Sequence, residues 1–332
     1  MTGKKRIVWI DIAKALGIIA VVIGHAYPQH DTFYKFLYWW HMPLFFMIGG
    51  FFLKPVKFNQ FKVFAHKRLL PLLRDYFAFG LLLTILAAWR APDRWQALLT
   101  GLGQLVYGGV QLNGTLSAFW FMTVYLLTVT LLALLIAYVP QPGVRWAIVS
   151  GAFILGTSYS NAQTVLGFAL PGDADLVLCA LFYMYAGREW FRWQRQQPPA
   201  TKWSGVLLTL SSLLLIAQQA DVIDFKLYLK SHEITSTVLA FVVPLMICGL
   251  IFIAAYWLQY TAFSASLAFI GKHTLPIMYL HKLVFAVIKQ LSGTYWPLLA
   301  VAGVVLPLMA MVLSERLKLK RRQLFWLTPT LQ

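Results

Sequence analysis

Long apolar runs alternate with short basic or polar stretches along the chain, and about ten of these runs have the length that a membrane-spanning helix needs. The predicted spans are residues 7–27, 36–53, 70–88, 118–138, 145–161, 173–188, 203–219, 234–257, 267–288 and 294–313. The fifth and sixth are short, and the Pro171–Gly172 break lies between them. The pattern therefore predicts an all-α, polytopic membrane protein whose transmembrane helices form one bundle.

The composition agrees with this fold class. Hydrophobic residues make up 60% of the 332 residues and charged residues only 12%, whereas a soluble domain carries about 25% charged residues. The formal net charge of +17 raises nucleic acid as a partner, but the basic residues form no single stripe and lie between the apolar runs. This distribution favours membrane lipid headgroups, and we expect no nucleic acid partner.

The basic residues predict the orientation of the spans. Ten spans bring their main clusters to one side of the membrane: Lys4, Lys5, Arg6, Lys54, Lys57, Lys62, Lys67, Arg68, Arg74, Arg145, Arg188, Arg192, Arg195, Lys202, Lys318, Lys320, Arg321 and Arg322. Cytoplasmic loops carry an excess of Lys and Arg, so this side is expected to be cytoplasmic, with both termini inside. The prediction is one integral-membrane domain over 1–332, with short cytoplasmic tails at 1–6 and 315–332 and no cleavable signal peptide.

Two stretches on the opposite side are longer than ordinary connections. Residues 89–117 carry apolar and aromatic residues at loose helical spacing, which predicts a segment lying along the membrane interface. Residues 220–233 mix acidic and basic side chains, among them Asp224 and Lys226. We expect a solvated loop there, with contact to an acceptor hydroxyl as the alternative.

The first span carries three side chains that are costly in hydrocarbon, Asp11, Lys14 and His25. At about 100° per residue they fall on one stripe of the helix, with Lys14 and His25 about 16 Å apart along its axis. Such a stripe must face protein or water instead of lipid. Asp11 and Lys14, three residues apart, are also spaced to neutralise each other, and a purely structural ion pair is the alternative for these two.

Two further histidines are predicted at a similar depth. His41 opens the second span after a short outer loop, and His281 lies in the outer half of the ninth span. Three imidazoles on separate helices predict one cavity that they line together. No second ligand stands three or four residues from any of them, and the two cysteines, Cys179 and Cys248, match no metal or redox spacing, so no metal site is predicted.

These motifs resemble the acyltransferase-3 family of membrane O-acyltransferases, the group that includes fucose 4-O-acetylase-like and polysaccharide O-acetyltransferases. KALGIIAVVIGH resembles the family's Arg-x10-His signature, with Lys14 at the arginine position and His25 at the histidine. HMPLFFMIGGFF resembles its second-helix motif, KRLLP the basic entry to the third helix, and LNGTLSAFWFMTVYLL the segment with a Trp-Phe pair, here Trp120 and Phe121. GKHTLPIMYLH resembles the late segment that carries Tyr279 and His281. The matches run in order from residue 6 to about 285.

The resemblance implies transfer of an acetyl group from cytosolic acetyl-CoA to a hydroxyl of a glycan or polyprenyl-linked sugar at the outer face of a bacterial inner membrane. Acetyl-CoA is then a co-substrate, and no permanently bound cofactor is expected. Lys14 departs from the usual arginine: it keeps the charge and loses the bidentate fork that grips phosphate. The oligomeric state stays open, a homo-oligomer included.

The residue types suggest roles within that chemistry. We expect His25 to act as general base, and Asp11 to hold Lys14 where the donor enters. Arg68 and Arg74 are candidates for the donor phosphates, with ordinary positive-inside bias as the alternative. The candidates for the acceptor or for a second proton-transfer or oxyanion role are His41, His281, Tyr279 and Trp120. Trp39 and Trp40 also suggest sugar stacking, although interfacial anchoring is the favoured explanation for such aromatic residues.

Three other functions fit the same residues. A proton-coupled transporter or lipid flippase also uses intramembrane Asp, Lys and His, and would show no dependence on acyl-CoA. A second alternative keeps the transferase and changes the donor, for example to succinyl-CoA. A third places the acceptor on an amine or a lipid.

Overall fold

Helices form most of the computed structural model, which describes residues 6–160, 162–194 and 201–327. The α-helices are α1 (Val8–Ala26), α2 (Thr32–Phe51), α3 (Phe61–Phe64), α4 (Leu70–Arg90), α5 (Arg94–Tyr107), α6 (Trp120–Tyr138), α7 (Pro142–Thr157), α8 (Ala162–Leu166), α9 (Val177–Gln194), α10 (Ser204–Gln219), α11 (Thr237–Leu258), α12 (Ser264–Lys272), α13 (Thr274–Ser292) and α14 (Trp296–Leu327). A π-helical turn (Ala65–Leu69) joins α3 to α4. Short 3-10 turns are Phe58–Gln60, Gly109–Gln111, Gly114–Leu116, Pro171–Leu176 and Thr201–Trp203.

Strands occur in the described chain as one antiparallel hairpin, β1 (Leu227–Tyr228) and β2 (Glu233–Ile234), with Leu227 opposite Ile234 and Tyr228 opposite Glu233. This hairpin occupies the stretch that was expected to be a solvated loop. Its start is held to the helices, because the Trp39 indole N–H donates to the Phe225 carbonyl at 3.0 Å. The all-α prediction is therefore confirmed except for this hairpin.

The count of ten spans is not confirmed. Five stretches of the described chain are long and apolar enough to cross a membrane: Val8–Ala26, Phe58–Arg90, Gly114–Tyr138, Thr237–Leu258 and Trp296–Arg316. The fifth and seventh predicted spans correspond to α7 and α10, which hold 16 residues each and reach about 24 Å, less than the hydrocarbon core of about 30 Å. The sixth begins late, at Val177, because Gly172 and Asp173 have positive φ angles and interrupt the helix.

The second helix begins four residues before its predicted start. Asp31 precedes α2, and its carboxylate accepts a hydrogen bond from the Tyr34 amide at 3.0 Å. An aspartate at this position satisfies one of the free N–H groups of the first turn, so the helix extends into the polar connection. The connection between the first two helices is correspondingly short. His41 was predicted to open the second span, but it is the tenth residue of α2, about 14 Å along the helix from its first residue.

Helix α1 lies at the centre of the bundle and packs against α2, α11, α12, α13 and α14. The approach to α12 is close: a Cβ added at Gly271 would stand 1.7 Å from the Asp11 carbonyl oxygen. Large apolar side chains cover the outward faces of α4, α10 and α14, for example Leu82, Leu208 and Met309. Apolar exteriors around a packed aromatic core are expected for helices that contact lipid.

The amphipathic stretch predicted between the third and fourth spans contains α5. Asp93 caps this helix by accepting from the Gln96 amide at 2.9 Å, and the Tyr76 hydroxyl donates to the Leu105 carbonyl at 2.8 Å. Trp95 is on the exposed side of α5. Its position along the membrane interface stays a prediction.

Some predicted features fall outside the described residues. Lys4, Lys5 and Arg195 of the basic clusters lie there, as do the two ends of the predicted tails, residues 1–5 and 328–332. The side chains of Lys318, Lys320, Arg321 and Arg322 are also outside the description, although α14 continues through them.

Candidate active site

A cavity of about 510 Å³ opens beside α1, between α2, α13 and the β-hairpin. Its volume is within the range of about 300–1,000 Å³ that small-molecule sites occupy. Both apolar and polar residues line it. The lining residues used below are His25, Tyr34, Tyr38, His41, Trp120, Tyr228, Lys230, Glu233 and Lys282.

His25 and His281 are in direct contact, which goes beyond the predicted shared cavity. His25 Nδ1 is 2.8 Å from His281 Nε2, and the two ring planes differ by only 4°. His281 is fully buried behind His25 and does not line the cavity, whereas His25 does. The structure therefore places His25 against the cavity and His281 behind it.

The hydrogen bonds of this pair determine which nitrogen of His25 carries a lone pair. His281 Nδ1 is 2.9 Å from the Ile277 carbonyl oxygen, which only accepts, so Nδ1 must be the protonated nitrogen. In the neutral ring, His281 Nε2 is then an acceptor, and His25 Nδ1–H donates to it. This leaves the lone pair of neutral His25 on Nε2. A histidine whose tautomer is fixed in this way is ready to take a proton at one known atom.

His41 lies in the same cavity with a similar arrangement. Its Nδ1 is 2.6 Å from the Leu37 carbonyl oxygen, one turn earlier on α2, so Nδ1 donates and Nε2 carries the lone pair. The side chain is buried, with 2% of its surface exposed. His25 and His41 thus line the cavity together, and the sequence-based prediction that three histidines line it holds for two of them.

Asp11 is at the opposite end of α1 and joins two cations. Its carboxylate is 2.8 Å from Lys14 Nζ and 2.5 Å from Arg6 Nε. Asp11 does hold Lys14, as expected, and the second partner, Arg6, was missed because it precedes the helix. Lys14 does not line the cavity, and about 16 Å of helix separates it from His25.

Arg68 and Arg74 differ in their surroundings. Arg68, in the π-helical turn, donates to the Gly49 carbonyl at 2.9 Å and to the Tyr125 hydroxyl at 3.4 Å, close to the C-terminal end of α2. Arg74 is exposed and pairs with the adjacent Asp75 at 3.1 Å. Phe51, at the end of α2, lies 6.1 Å from Trp9 of α1, measured between ring centroids. Arg68 and the Asp11–Lys14 pair are therefore at the same end of the bundle.

The aromatic candidates divide into lining and supporting residues. Trp120 lines the cavity, whereas Tyr279 is fully buried between Phe79 and Phe119. The Tyr279 hydroxyl forms no hydrogen bond with any described residue. Trp39 and Trp40 were candidates for sugar stacking; both are buried in the core, and neither lines the cavity.

Three tyrosines that the sequence did not single out surround the cavity mouth. Tyr34 and Tyr38 are one turn apart on α2, with ring centroids 4.4 Å apart, and Tyr228 of β1 lies 5.2 Å from Tyr38 with its ring perpendicular. Tyr38 also contacts His41 at 4.7 Å. The four-residue spacing of Tyr34 and Tyr38 was visible in the sequence, but the contact with Tyr228 depends on a hairpin that was predicted as a loop.

The remaining polar candidates, Asp224 and Lys226, each form an ion pair with another side chain. Asp224 pairs with Lys35 at 2.7 Å, and Lys226 pairs with Glu233 at 2.8 Å. Neither Asp224 nor Lys226 lines the cavity. Lys230 and Glu233, from the same hairpin, do line it.

The hairpin turn rests on a small acidic cluster. The Val110 amide donates to Asp173 at 2.7 Å, and His232 Nε2 is 2.8 Å from Asp175. Asp173 and His232 both have positive φ angles, and Lys230 donates to the Leu112 carbonyl at 2.6 Å. Burial raises the pKa of Asp173 to about 6. These contacts hold the hairpin against the connection between α5 and α6.

Comparison with known proteins gives one family. The acyltransferase-3 family, described as an acyltransferase domain, matches residues 7–316, which is nearly the whole chain. The match includes all of the residues that line the cavity. No curated protein and no solved structure matches the chain.

Proposed function

Because this chain belongs to the acyltransferase-3 family, we propose that it transfers an acetyl group from acetyl-CoA to a hydroxyl of a glycan or lipid-linked sugar at the outer face of a bacterial inner membrane. Family membership makes the chain a membrane acyltransferase. The acetyl donor, the sugar acceptor, the orientation and the roles of individual residues are the proposal.

The observation that carries the proposal is His25, a cavity-lining imidazole whose Nδ1–H is bonded to His281 and whose Nε2 is left as a base. In the proposed step, His25 Nε2 takes the proton of the acceptor hydroxyl while the hydroxyl oxygen attacks the carbonyl carbon of the thioester. The new O–C bond forms, the C–S bond breaks, and the proton passes from His25 to the departing thiolate. The products are the O-acetylated acceptor and CoA with a free thiol.

His281 and His41 have different roles in this proposal. His281 is a positioning residue, since it holds the His25 ring through Nδ1 and does not reach the cavity. His41 lines the cavity and is proposed to assist as a second proton-transfer group, because the Leu37 carbonyl holds its Nδ1–H and leaves the lone pair on Nε2. The neutral ring has no second N–H for an oxyanion, so the oxyanion role would require protonated His41. Tyr279 packs behind the site, and we propose no direct contact between its hydroxyl and the acceptor.

We propose that the donor enters at the end of the bundle that holds Lys14. Support comes from three cations near that end, Arg6, Lys14 and Arg68: the first two share the single carboxylate of Asp11, so the group keeps a net positive charge that suits the phosphates of CoA. Asp11 holds Lys14 in place, and Arg74 remains a peripheral candidate because Asp75 already neutralises it. In this arrangement the pantetheine arm bridges the distance from Lys14 to His25.

Acetyl transfer in isolated membranes tests the proposal. Membranes containing the full chain are given isotopically labelled acetyl-CoA, and label in the glycan or lipid-linked sugar fraction is measured. The His25→Ala variant is expected to lose about 10²–10⁴-fold of the rate, as for removal of a general base. His273→Gln is the matched control, because His273 is outside the cavity and bonds to the Phe269 carbonyl.

Near-wild-type transfer by His25→Ala would remove His25 from the mechanism. Labelling from succinyl-CoA in place of acetyl-CoA would change the donor and keep the reaction. Sugar or lipid movement that needs no acyl-CoA would favour a transporter.

A further inference from the structure

Two lysines line the same cavity as His25 and take no part in the reaction described above. Lys230 is in the turn of the β-hairpin, and Lys282 follows His281 on α13. Both bring an ammonium group to the cavity that His25 also lines. The end of the cavity next to His25 therefore holds two positive charges.

Neither lysine has an anionic partner of its own. Within the described parts of the chain, no carboxylate forms an ion pair with Lys230 or Lys282. Lys230 uses one of its three N–H groups on the Leu112 carbonyl. An ammonium group withdrawn from water without a counter-ion is costly, and burial lowers the pKa of Lys230.

The nearby carboxylates do not neutralise this pair. Glu233 lines the cavity, but Lys226 holds it at 2.8 Å. Asp173 lies near Lys230 in the neighbouring acidic cluster, and no ion pair to Lys282 occurs among the described residues. A cationic ligand would thus meet uncompensated positive charge, and a neutral ligand would leave that charge unpaired.

We propose that the acceptor is an anionic sugar, whose carboxylate or phosphate binds Lys230 and Lys282 while a hydroxyl of the same sugar faces His25. Tyr34, Tyr38 and Tyr228 surround the mouth, where their rings and hydroxyls suit a sugar ring. This inference rests on the proposed function and adds the charge of the acceptor to it. It also explains why two lysines stand at the end of the bundle that we propose to be outside, where Lys and Arg are normally sparse.

Ligand binding without acetyl-CoA tests this inference separately from the reaction. The purified full-length chain is titrated with glucuronic acid, galacturonic acid and glucose 1-phosphate, with glucose and galactose as neutral probes. Binding is followed by the rise in unfolding temperature with ligand concentration. We expect at least one anionic sugar to bind about tenfold or more tightly than its neutral counterpart, since a charge-assisted contact is lost in the latter. The uronic acids and the sugar phosphate distinguish a carboxylate from a phosphate.

Variants show whether the two lysines are responsible. Lys282→Met and Lys230→Met are each expected to abolish most of the preference for the anionic sugar and to keep the affinity for the neutral one. Lys282→Arg keeps the charge and should keep the preference, which separates loss of charge from misfolding. Lys62→Met is the control for loss of a surface lysine, because Lys62 is exposed and outside the cavity, whereas Lys289 on α13 acts on Lys282.

Equal affinity for charged and neutral sugars in the wild type would overturn the inference. So would an anion preference that survives both methionine variants, or a loss of CoA binding in these variants with sugar binding unchanged, which would assign the lysines to the donor. Acetyl transfer to a neutral acceptor with no anion preference refutes this inference alone. An anion preference without any acetyl transfer refutes the proposed function alone.

Discussion

Replacement of His281 is the sharpest test of how the histidine pair works. His281 accepts a hydrogen bond from His25 Nδ1 and does not line the cavity, so its removal should affect the orientation of His25 and leave ligand binding intact. In His281→Phe the His25 Nδ1–H loses its acceptor, and the ring becomes free to turn or to change tautomer. The lone pair of His25 is then on Nε2, in the reactive orientation, in only a fraction of the molecules.

The expected size follows from this hydrogen bond. A buried polar group left without its partner costs about 1–3 kcal/mol, which corresponds to about 5- to 160-fold in rate if the whole cost appears in the transition state. Loss of His25 itself should cost more, about 10²–10⁴-fold. We therefore expect His281→Phe to fall between the wild type and His25→Ala in kcat, with KM for both substrates nearly unchanged.

The assay is steady-state acetyl transfer by the purified chain in lipid nanodiscs over a range of pH. His281→Gln supplies an amide oxygen as acceptor and should recover part of the rate, which a purely steric role for His281 would not predict. His273→Phe controls for the loss of an imidazole elsewhere on the same segment. A wild-type kcat for His281→Phe, or an effect confined to KM, would refute the tautomer argument.

Three further outcomes are expected. Burial raises the pKa of Asp173 from 3.8 to about 6, so the folded state holds this proton more tightly than the unfolded state. The stabilisation is complete below pH 4 and is lost as the pH rises through 6. Asp173→Asn should therefore flatten the pH dependence of the unfolding temperature between these values, and an unchanged slope would contradict this. Gly271→Ala should lower the free energy of unfolding by about 1–3 kcal/mol, because the added Cβ would overlap the Asp11 carbonyl. Gly151→Ala is the control, since Gly151 faces open space on α7, and it should be neutral or stabilising. Chemical denaturation measures both. Lys14→Arg should keep donor KM within about tenfold if charge alone matters; a larger rise would show that the packing around Asp11 decides.

The positions of the charged and histidine residues could be predicted because periodicity within one helix is local. The spacing of Asp11, Lys14 and His25 already placed them on one stripe, and the pairing of the first two helices brought His41 to the cavity that His25 lines. The ordered set of motifs gave the family, which the match over residues 7–316 confirms. The contact between His25 and His281 needed more, because it joins residues 256 positions apart.

The features that were missed depend on long-range packing. The hairpin was predicted as a loop because its strands are two residues long and its pattern is dominated by charges. Lys230 and Tyr228 therefore carried no signal that they would line a cavity. Trp39 and Trp40 gave the opposite error: their aromatic composition suggested an interface, but both are packed in the core. The number of spans stays open. The apolar runs of the sequence gave ten spans, whereas only five stretches of the described chain form helices that are long and apolar enough to cross a membrane.

The hairpin contributes to the site without carrying its base. Tyr228, Lys230 and Glu233 come from a short segment between α10 and α11, whereas His25 and His41 are fixed on α1 and α2. Part of the proposed acceptor recognition thus comes from a segment that carries neither histidine. If the proposed function holds, substitutions in this one segment are expected to change which acceptor binds while the two histidines keep their places.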